Sequence, residues 1–180
     1  MRTLLDGITI DEFERLPDAL ALNHELVDGK LVDVSGNTPK HNALRDLLTS
    51  LLLFYVNDHK LGRVFSEQEY DFGGNAHGPD VTFFGPEKAN LLLDEFRVQR
   101  FVPDLAVEIV SKNDRFLELF EKAHRYLSFG TKEVWIFSIA TREAFVYSAK
   151  GRMFLDENGV FESSLIPGFS IRLGDLFDRL

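Results

Sequence analysis

The chain has no cysteine, only two methionines and one tryptophan, and six prolines among its 180 residues. Without cysteine there is no disulfide, no thiolate zinc site and no cysteine nucleophile, and a reducing compartment is compatible with the composition. No apolar run has the length of a membrane span. The longest helical one, Leu47 to Val56, is interrupted by Thr49 and Ser50 and falls short of the ~20 residues that a ~30 Å hydrocarbon core requires. The opening Met1-Arg2-Thr3-Leu4-Leu5-Asp6-Gly7 has no apolar stretch of leader length, since Asp6 and Asp11 break it. The expected location is therefore the cytoplasm, with no membrane partner. Basic charge is also scarce: 20 Lys and Arg face 29 Asp and Glu, for a net charge of -9. That balance counts against a plain nucleic-acid binder with a basic face. It does not exclude a metal-dependent nuclease, because acids that hold a divalent ion reverse the local sign once the ion is bound. Missing too are a glycine-rich phosphate loop, a Gly-x-Ser-x-Gly nucleophile and the spacings of helix-turn-helix or zinc-finger modules.

What remains is ordinary for a globular chain: 44% hydrophobic and 27% charged residues, with no internal repeat or linker. One domain over residues 1–180 is expected, large enough to bury roughly 70% of the surface its unfolded chain exposes. Phenylalanine is abundant at 17 residues, and its rings are expected to fill the core. Thr9 with Glu12 forms a capping-box pattern ahead of a short helix that Pro17 stops. The run from His24 to Val34 alternates as two strands joined at Asp28-Gly29, a hairpin signal. Thr38-Pro39 opens a helix whose Leu44, Leu47, Leu48, Leu51, Leu52 and Tyr55 repeat at helical spacing until Asn57-Asp58.

Further strands are expected over 63–70, after Pro79-Asp80 and over 103–111, with a loop over 71–78 and a loop carrying a turn at Lys88 to Leu93. Ser111-Lys112-Asn113-Asp114 reads as a second capping box, before a helix carrying Phe116, Leu119, Phe120, Ala123, Tyr126 and Leu127 that Gly130 ends. Strands follow at 133–138, 143–149, 152–155 and 159–163, and a small helix over 174–180. This order gives an α/β protein with a mixed sheet flanked by helices.

The stretch Pro103-Asp104-Leu105-Ala106-Val107-Glu108-Ile109-Val110-Ser111 organises the rest. Leu105, Val107 and Ile109 form one face and Ala106 and Val110 the other, so both faces are apolar, as in a covered sheet. Glu108 intrudes, and a carboxylate there needs a cation, a hydrogen-bond network or a proton. The candidates to face it are Asp80 and Lys122. Two acids and a lysine on a sheet suit metal-assisted phosphodiester hydrolysis. Hard Mg2+ takes oxygen ligands such as Asp80, Glu108 and the neighbouring Ile109 carbonyl, and a lysine orients water or stabilises developing charge. Plainer explanations exist for each: Asp80 as a turn residue after proline, Lys122 as an i, i-4 partner of Glu118, and His41 and His77 as solvated side chains.

The strings Glu25-Leu26-Val27-Asp28-Gly29, Pro79-Asp80-Val81 and Pro103 to Ser111, with Lys122, Tyr126, Gly130 and Glu133-Val134-Trp135-Ile136, resemble the Uma2 family of restriction endonuclease-like proteins, over about residues 9 to 178. The resemblance implies the restriction-endonuclease-like core of the PD-(D/E)xK superfamily, with Mg2+ as the ion and Mn2+ as a substitute. It makes Asp80 the first acid and Glu108 the second. The lysine that the superfamily places two residues after the second acid is Val110 here. Uma2-like proteins take a lysine from the following helix instead, and Lys122 occupies that place, ahead of Lys112. Glu25 corresponds to an additional acid near the site, and His41 could face the same cleft.

The reading at this stage is a Mg2+-dependent endonuclease acting on DNA. Lys40, Arg45, Lys60, Arg63, Arg97, Arg100, Arg115 and Arg125 are candidates to flank the groove, and cutting of two strands favours a homodimer. Two alternatives stay open. One is a non-catalytic nuclease-fold module in which Asp80, Glu108 and Lys122 form a buried salt-bridge network. The other is a metal-dependent phosphohydrolase acting on small nucleotides.

Overall fold

The structure, a computed structural model, describes residues 7–34, 36–111 and 116–180. The chain's first six residues lie outside that set, as does the capping box expected at Ser111 to Asp114 beyond Ser111, and with it Lys112 and Arg115.

Local chemistry sets the N-terminal elements. Helix α1 (Ile10–Glu14) starts at a true capping box, with the Glu12 carboxylate accepting from the Thr9 N–H at 2.8 Å and the Thr9 hydroxyl oxygen accepting from the Glu12 N–H at 3.3 Å. Helix α2 (Asp18–Ala21) follows Pro17. Strands β1 (His24–Val27) and β2 (Lys30–Asp33) form the expected hairpin, with Asp28 at φ 48° and Gly29 at φ 76°. Both turn residues need the left-handed region, which Asp tolerates and Gly adopts freely. Thr38 caps α3 (Pro39–Asp58), its hydroxyl oxygen accepting from the His41 N–H at 3.2 Å.

The chain continues through β3 (Arg63–Ser66), β4 (Glu69–Asp71), β5 (Ala76–His77), β6 (Val81–Phe84), α4 (Pro86–Ala89), β7 (Val98–Gln99) and β8 (Leu105–Ile109). Then come α5 (Phe116–Ser128), β9 (Glu133–Ser138), β10 (Glu143–Ser148), β11 (Gly151–Leu155), β12 (Val160–Glu162), β13 (Ser170–Arg172) and α6 (Leu173–Phe177). Three expectations need correction. The strand expected over 63–70 is two strands in different sheets, because Glu67 takes φ 53° and turns the chain between them. The loop expected over 71–78 contains β5 and the end of β4. The helical turn expected at Lys88 to Leu93 sits earlier, over α4, where Pro86 occupies the first turn and its fixed φ favours a helix start.

The central sheet has six strands in the order β11-β10-β9-β8-β6-β3, with β8 and β9 parallel and the other pairs antiparallel. A second sheet runs β2-β1-β5-β4-β7, and β12 pairs with β13 alone. Alternation along the central strands divides the core. Leu105, Val107, Ile109, Trp135 and Phe137 pack with Leu44, Leu48, Leu52 and Val56 of α3. Ala106, Val134 and Ile136 pack on the other side with Leu119, Ala123 and Tyr126 of α5, and with Tyr70 and Phe72. The sheet is thus covered by a helix on each face, as the run of apolar residues on both sides of β8 requires. Phe13, Phe72, Phe83, Phe84, Phe137, Phe161, Phe169 and Phe177 are buried, whereas Phe54, Phe96, Phe129 and Phe154 are exposed, so phenylalanine fills the core only in part. Among the described residues no helix is long and apolar enough to cross a membrane.

Adjacent positions on α3 separate packing from mere hydrophobicity. Leu52 is fully buried, while Phe54 is 77% exposed. Leu52→Ala should cost about 2–5 kcal/mol of unfolding free energy, and Phe54→Ala should stay within about 0.5 kcal/mol of wild type. Urea denaturation of the two variants checks this, and equal effects would contradict the packing described.

Candidate active site

Two strand registers bring the polar residues together. Val81 of β6 faces Val107 of β8, and one step further along that antiparallel register Asp80 stands across from Glu108. Leu26 of β1 faces Ala76 of β5, and the same continuation sets Glu25 across from His77. Helix α5 then lowers Lys122 between the sheets. Its Nζ lies 2.9 Å from Glu25 Oε1 and 3.1 Å from Glu108 Oε1, so one ammonium joins an acid of each sheet. Lys122 and Tyr126 lie one helical turn apart on the same face, and the Tyr126 hydroxyl donates to Glu108 Oε1 at 2.7 Å. The Tyr126 ring stacks on Phe72 with centroids 4.3 Å apart, which fixes the direction of that hydroxyl.

Glu25 is held from every side. His77 Nδ1 lies 2.8 Å from Glu25 Oε2, and the Gly78 N–H donates to Glu25 Oε1 at 3.1 Å. Asp80 Oδ2 accepts from the Ile109 N–H at 2.7 Å. Asp80 Oδ1 faces His41, whose Nε2 is 3.3 Å away and also 3.1 Å from the Ile109 carbonyl oxygen. The Thr38 cap sets this position, because it fixes the first turn of α3 from which His41 projects.

These groups lie at the floor of a cleft of about 1110 Å³, bounded by the β1–β2 hairpin, the first turns of α3 and the inner face of α5. Arg45, Arg97 and Arg125 also line it, each beside a carboxylate: Glu67, Glu69 and Asp28 respectively.

The electrostatics follow from burial and from one ammonium facing several acids. Burial pushes the Glu108 carboxyl up to about 7; the Lys122 ammonium opposes the rise, and the Asp80 and Glu25 carboxylates add to it. Burial would also raise Glu25, but the Lys122 charge and the His77 hydrogen bond outweigh it and hold this carboxyl below its usual range. Burial would lower Lys122, yet Glu108 and Glu25 outweigh burial and raise it, so Lys122 is an ammonium. His77 is lowered by burial, and His41 is raised because its contacts with Asp80 and the Ile109 carbonyl outweigh burial.

The structure brings together Glu25, His41, Asp80, Glu108 and Lys122; of the basic residues considered for the groove, Arg45, Arg97 and Arg125 line the cleft, Lys40, Lys60, Arg63 and Arg100 do not, and Lys112 and Arg115 lie outside the described residues. Glu108 and Lys122 touch, Asp80 is aligned with Glu108 and bonded to the Ile109 amide, and Glu25 shares Lys122. The idea that Lys122 serves only as a surface partner of Glu118 does not survive its contacts with Glu25 and Glu108. Nor are His41 and His77 solvated, since each is 3% exposed. Sequence reasoning gave His77 and Tyr126 no part in the cluster. The His77–Glu25 contact spans 52 positions and has no local signature, whereas the i, i+4 spacing of Lys122 and Tyr126 was there to be used.

The donor set suits a hard divalent ion. Asp80, Glu108 and the Ile109 carbonyl offer oxygen ligands, and the surplus of acids over the single Lys122 charge is what such an ion relieves. Among the described residues, no three His, Asp or Glu side chains form a ready-made metal cluster. Glu108 Oε1 is instead turned to Lys122 and Tyr126.

The model of the Uma2 family, described as "Putative restriction endonuclease", matches residues 10–174. No curated protein matches the chain. A crystal structure from Anabaena variabilis ATCC 29413, described as "a putative nuclease belonging to DUF820", is similar with a TM-score of 0.84 and 23% sequence identity, covering 96% of this chain and 98% of that one.

The cluster predicts an asymmetry between its charges. Lys122→Met removes the one ammonium from between two buried acids and should cost about 3–5 kcal/mol. Glu108→Gln keeps the shape and lowers the repulsion with Asp80 and Glu25, so its cost should be no more than about 1 kcal/mol. Denaturant unfolding at pH 7 in chelator-containing buffer measures both, and a Glu108→Gln loss as large as that of Lys122→Met would overturn the charge balance described.

Proposed function

The chain belongs to the Uma2 family, and from that premise we propose that it is a metal-dependent nuclease that hydrolyses phosphodiester bonds in DNA. The observation that carries the proposal is Lys122, held as an ammonium between Glu25 and Glu108 beside Asp80 at the floor of an open cleft. In this reading Asp80, Glu108 and the Ile109 carbonyl hold Mg2+, or Mn2+ in its place. When bound, that ion neutralises charge on the scissile phosphate and acidifies the attacking water.

The chain's own residues do the rest. Lys122 already carries its proton and is surrounded by acceptors, so it acts as a fixed positive charge for the transition state rather than as a base. Glu25 aims it, and His77 and the Gly78 amide fix Glu25. Tyr126 holds Glu108 in line by donating to one oxygen. Water attacks phosphorus and gives up a proton to solvent, the bond to the leaving sugar oxygen breaks, and that oxygen takes up a proton from solvent.

A second reading has an observation of its own. All three arginines lining the cleft sit beside carboxylates, and Lys122 contacts two, which suits a non-catalytic module with a structural ion-pair network. That reading expects no metal binding.

Supercoiled plasmid and single-stranded DNA incubated with Mg2+ or Mn2+ should be cut by the wild-type protein and left intact with chelator. Glu108→Gln and Asp80→Asn should each abolish cutting while leaving the far-ultraviolet circular dichroism unchanged. Cutting that survives in either variant would remove that acid from the proposed metal site.

A further inference from the structure

His41 is placed where a surface histidine would not be. It is 3% exposed, and its Nε2 is nearly equidistant from two oxygens, 3.3 Å from Asp80 Oδ1 and 3.1 Å from the Ile109 carbonyl. A ring nitrogen carries at most one hydrogen, so it cannot donate a full bond to both. The two separations match the spacing of adjacent ligands on an octahedral ion, which is about 3 Å when the bonds are ~2.1 Å. The other ring nitrogen, Nδ1, is buried and has no hydrogen-bond partner among the described residues. The tautomer is therefore set from the Nε2 side alone, by whatever that atom faces.

We propose that His41 Nε2 is a further ligand of the ion held at Asp80 and the Ile109 carbonyl, making this a mixed nitrogen–oxygen site that favours Mn2+ over Mg2+. The inference rests on the metal-dependent reading above and deepens it by naming the class of ion. Carboxylate, carbonyl and water oxygens suit Mg2+ and Mn2+ alike, whereas an imidazole ligand raises affinity for a transition ion and adds little for Mg2+.

The test is pulsed electron paramagnetic resonance of Mn2+ added to the full chain, with binding followed by loss of the free-ion signal. Wild type should show nitrogen-14 coupling to bound Mn2+. His41→Gln, which keeps a hydrogen-bond donor at the same reach, should lose that coupling and bind Mn2+ roughly tenfold or more weakly, at least the effect of losing a second-shell partner. Its Mg2+ affinity, measured by competition, should change less. Bound Mn2+ without nitrogen coupling, or coupling that persists in His41→Gln, overturns the ligand assignment and leaves the nuclease reading standing. Absence of Mn2+ binding by wild type overturns the metal-dependent reading itself.

Discussion

One half-buried ammonium joins the two sheets. Glu25 belongs to the five-stranded sheet and Glu108 to the six-stranded one, and Lys122 reaches both from α5. Neither acid is tenable alone at that depth, since a buried unpaired carboxylate costs several kcal/mol or takes up a proton. The arrangement therefore couples the docking of three elements to one charge. Tyr126 and His77, whose rings meet edge to face with centroids 5.6 Å apart, complete it, each holding one of the two acids. At Glu108 burial, with the Asp80 and Glu25 carboxylates adding to it, outweighs the Lys122 ammonium and pushes the carboxyl up to about 7. A site built for stability alone would have matched its charges or dispensed with them, because apolar replacements for buried ion pairs are often neutral or stabilising.

How much of this was legible depends on whether the physical signal is local. Glu108 stood out because a charge within a strand apolar on both faces has no ordinary explanation. The Thr9, Thr38 and Asp28-Gly29 signals act within three or four residues, and each produced the structure it implies. Asp80 and Lys122 needed family resemblance as well, since a proline-aspartate pair and a helix lysine are common. The pairing of Glu25 with His77 could not be read at all. It depends on β5, a two-residue strand that no periodicity can announce. The break at Glu67 was hidden for a related reason: a single residue at φ 53° sends β3 and β4 to different sheets, and glutamate carries no turn signal.

His41 shows local and distant effects combining. The cap at Thr38 was readable and fixes the first turn of α3, but the direction in which that turn points depends on how Leu44, Leu48, Leu52 and Val56 seat the helix on the sheet. A histidine in the first turn of a helix is ordinarily solvated. Here the packing of the apolar stripe turns it towards β8, where the C-terminal end of the strand offers the Ile109 carbonyl. The apolar stripe that stabilises the fold therefore also aims a polar residue of the site.

The acidic overall charge is best judged by which of the cleft's ion pairs can exchange. Glu67 and Asp28, which face Arg45 and Arg125, have largely exposed side chains, while the two arginines are themselves mostly covered. Under the proposed function, a phosphate would compete with these exposed carboxylates for the two arginines. Arg97 is different, because it also donates to the Phe13 carbonyl and lies over the Phe13 ring, so its position is structural. Lys122 is the most firmly held of all. The cleft thus has a rim of cations that can be re-paired and a floor whose charge cannot move. Under the proposed nuclease function, that division would gather phosphates at the rim and keep the fixed charge at the floor, so that a chain of net charge -9 would still present positive charge to an anionic substrate.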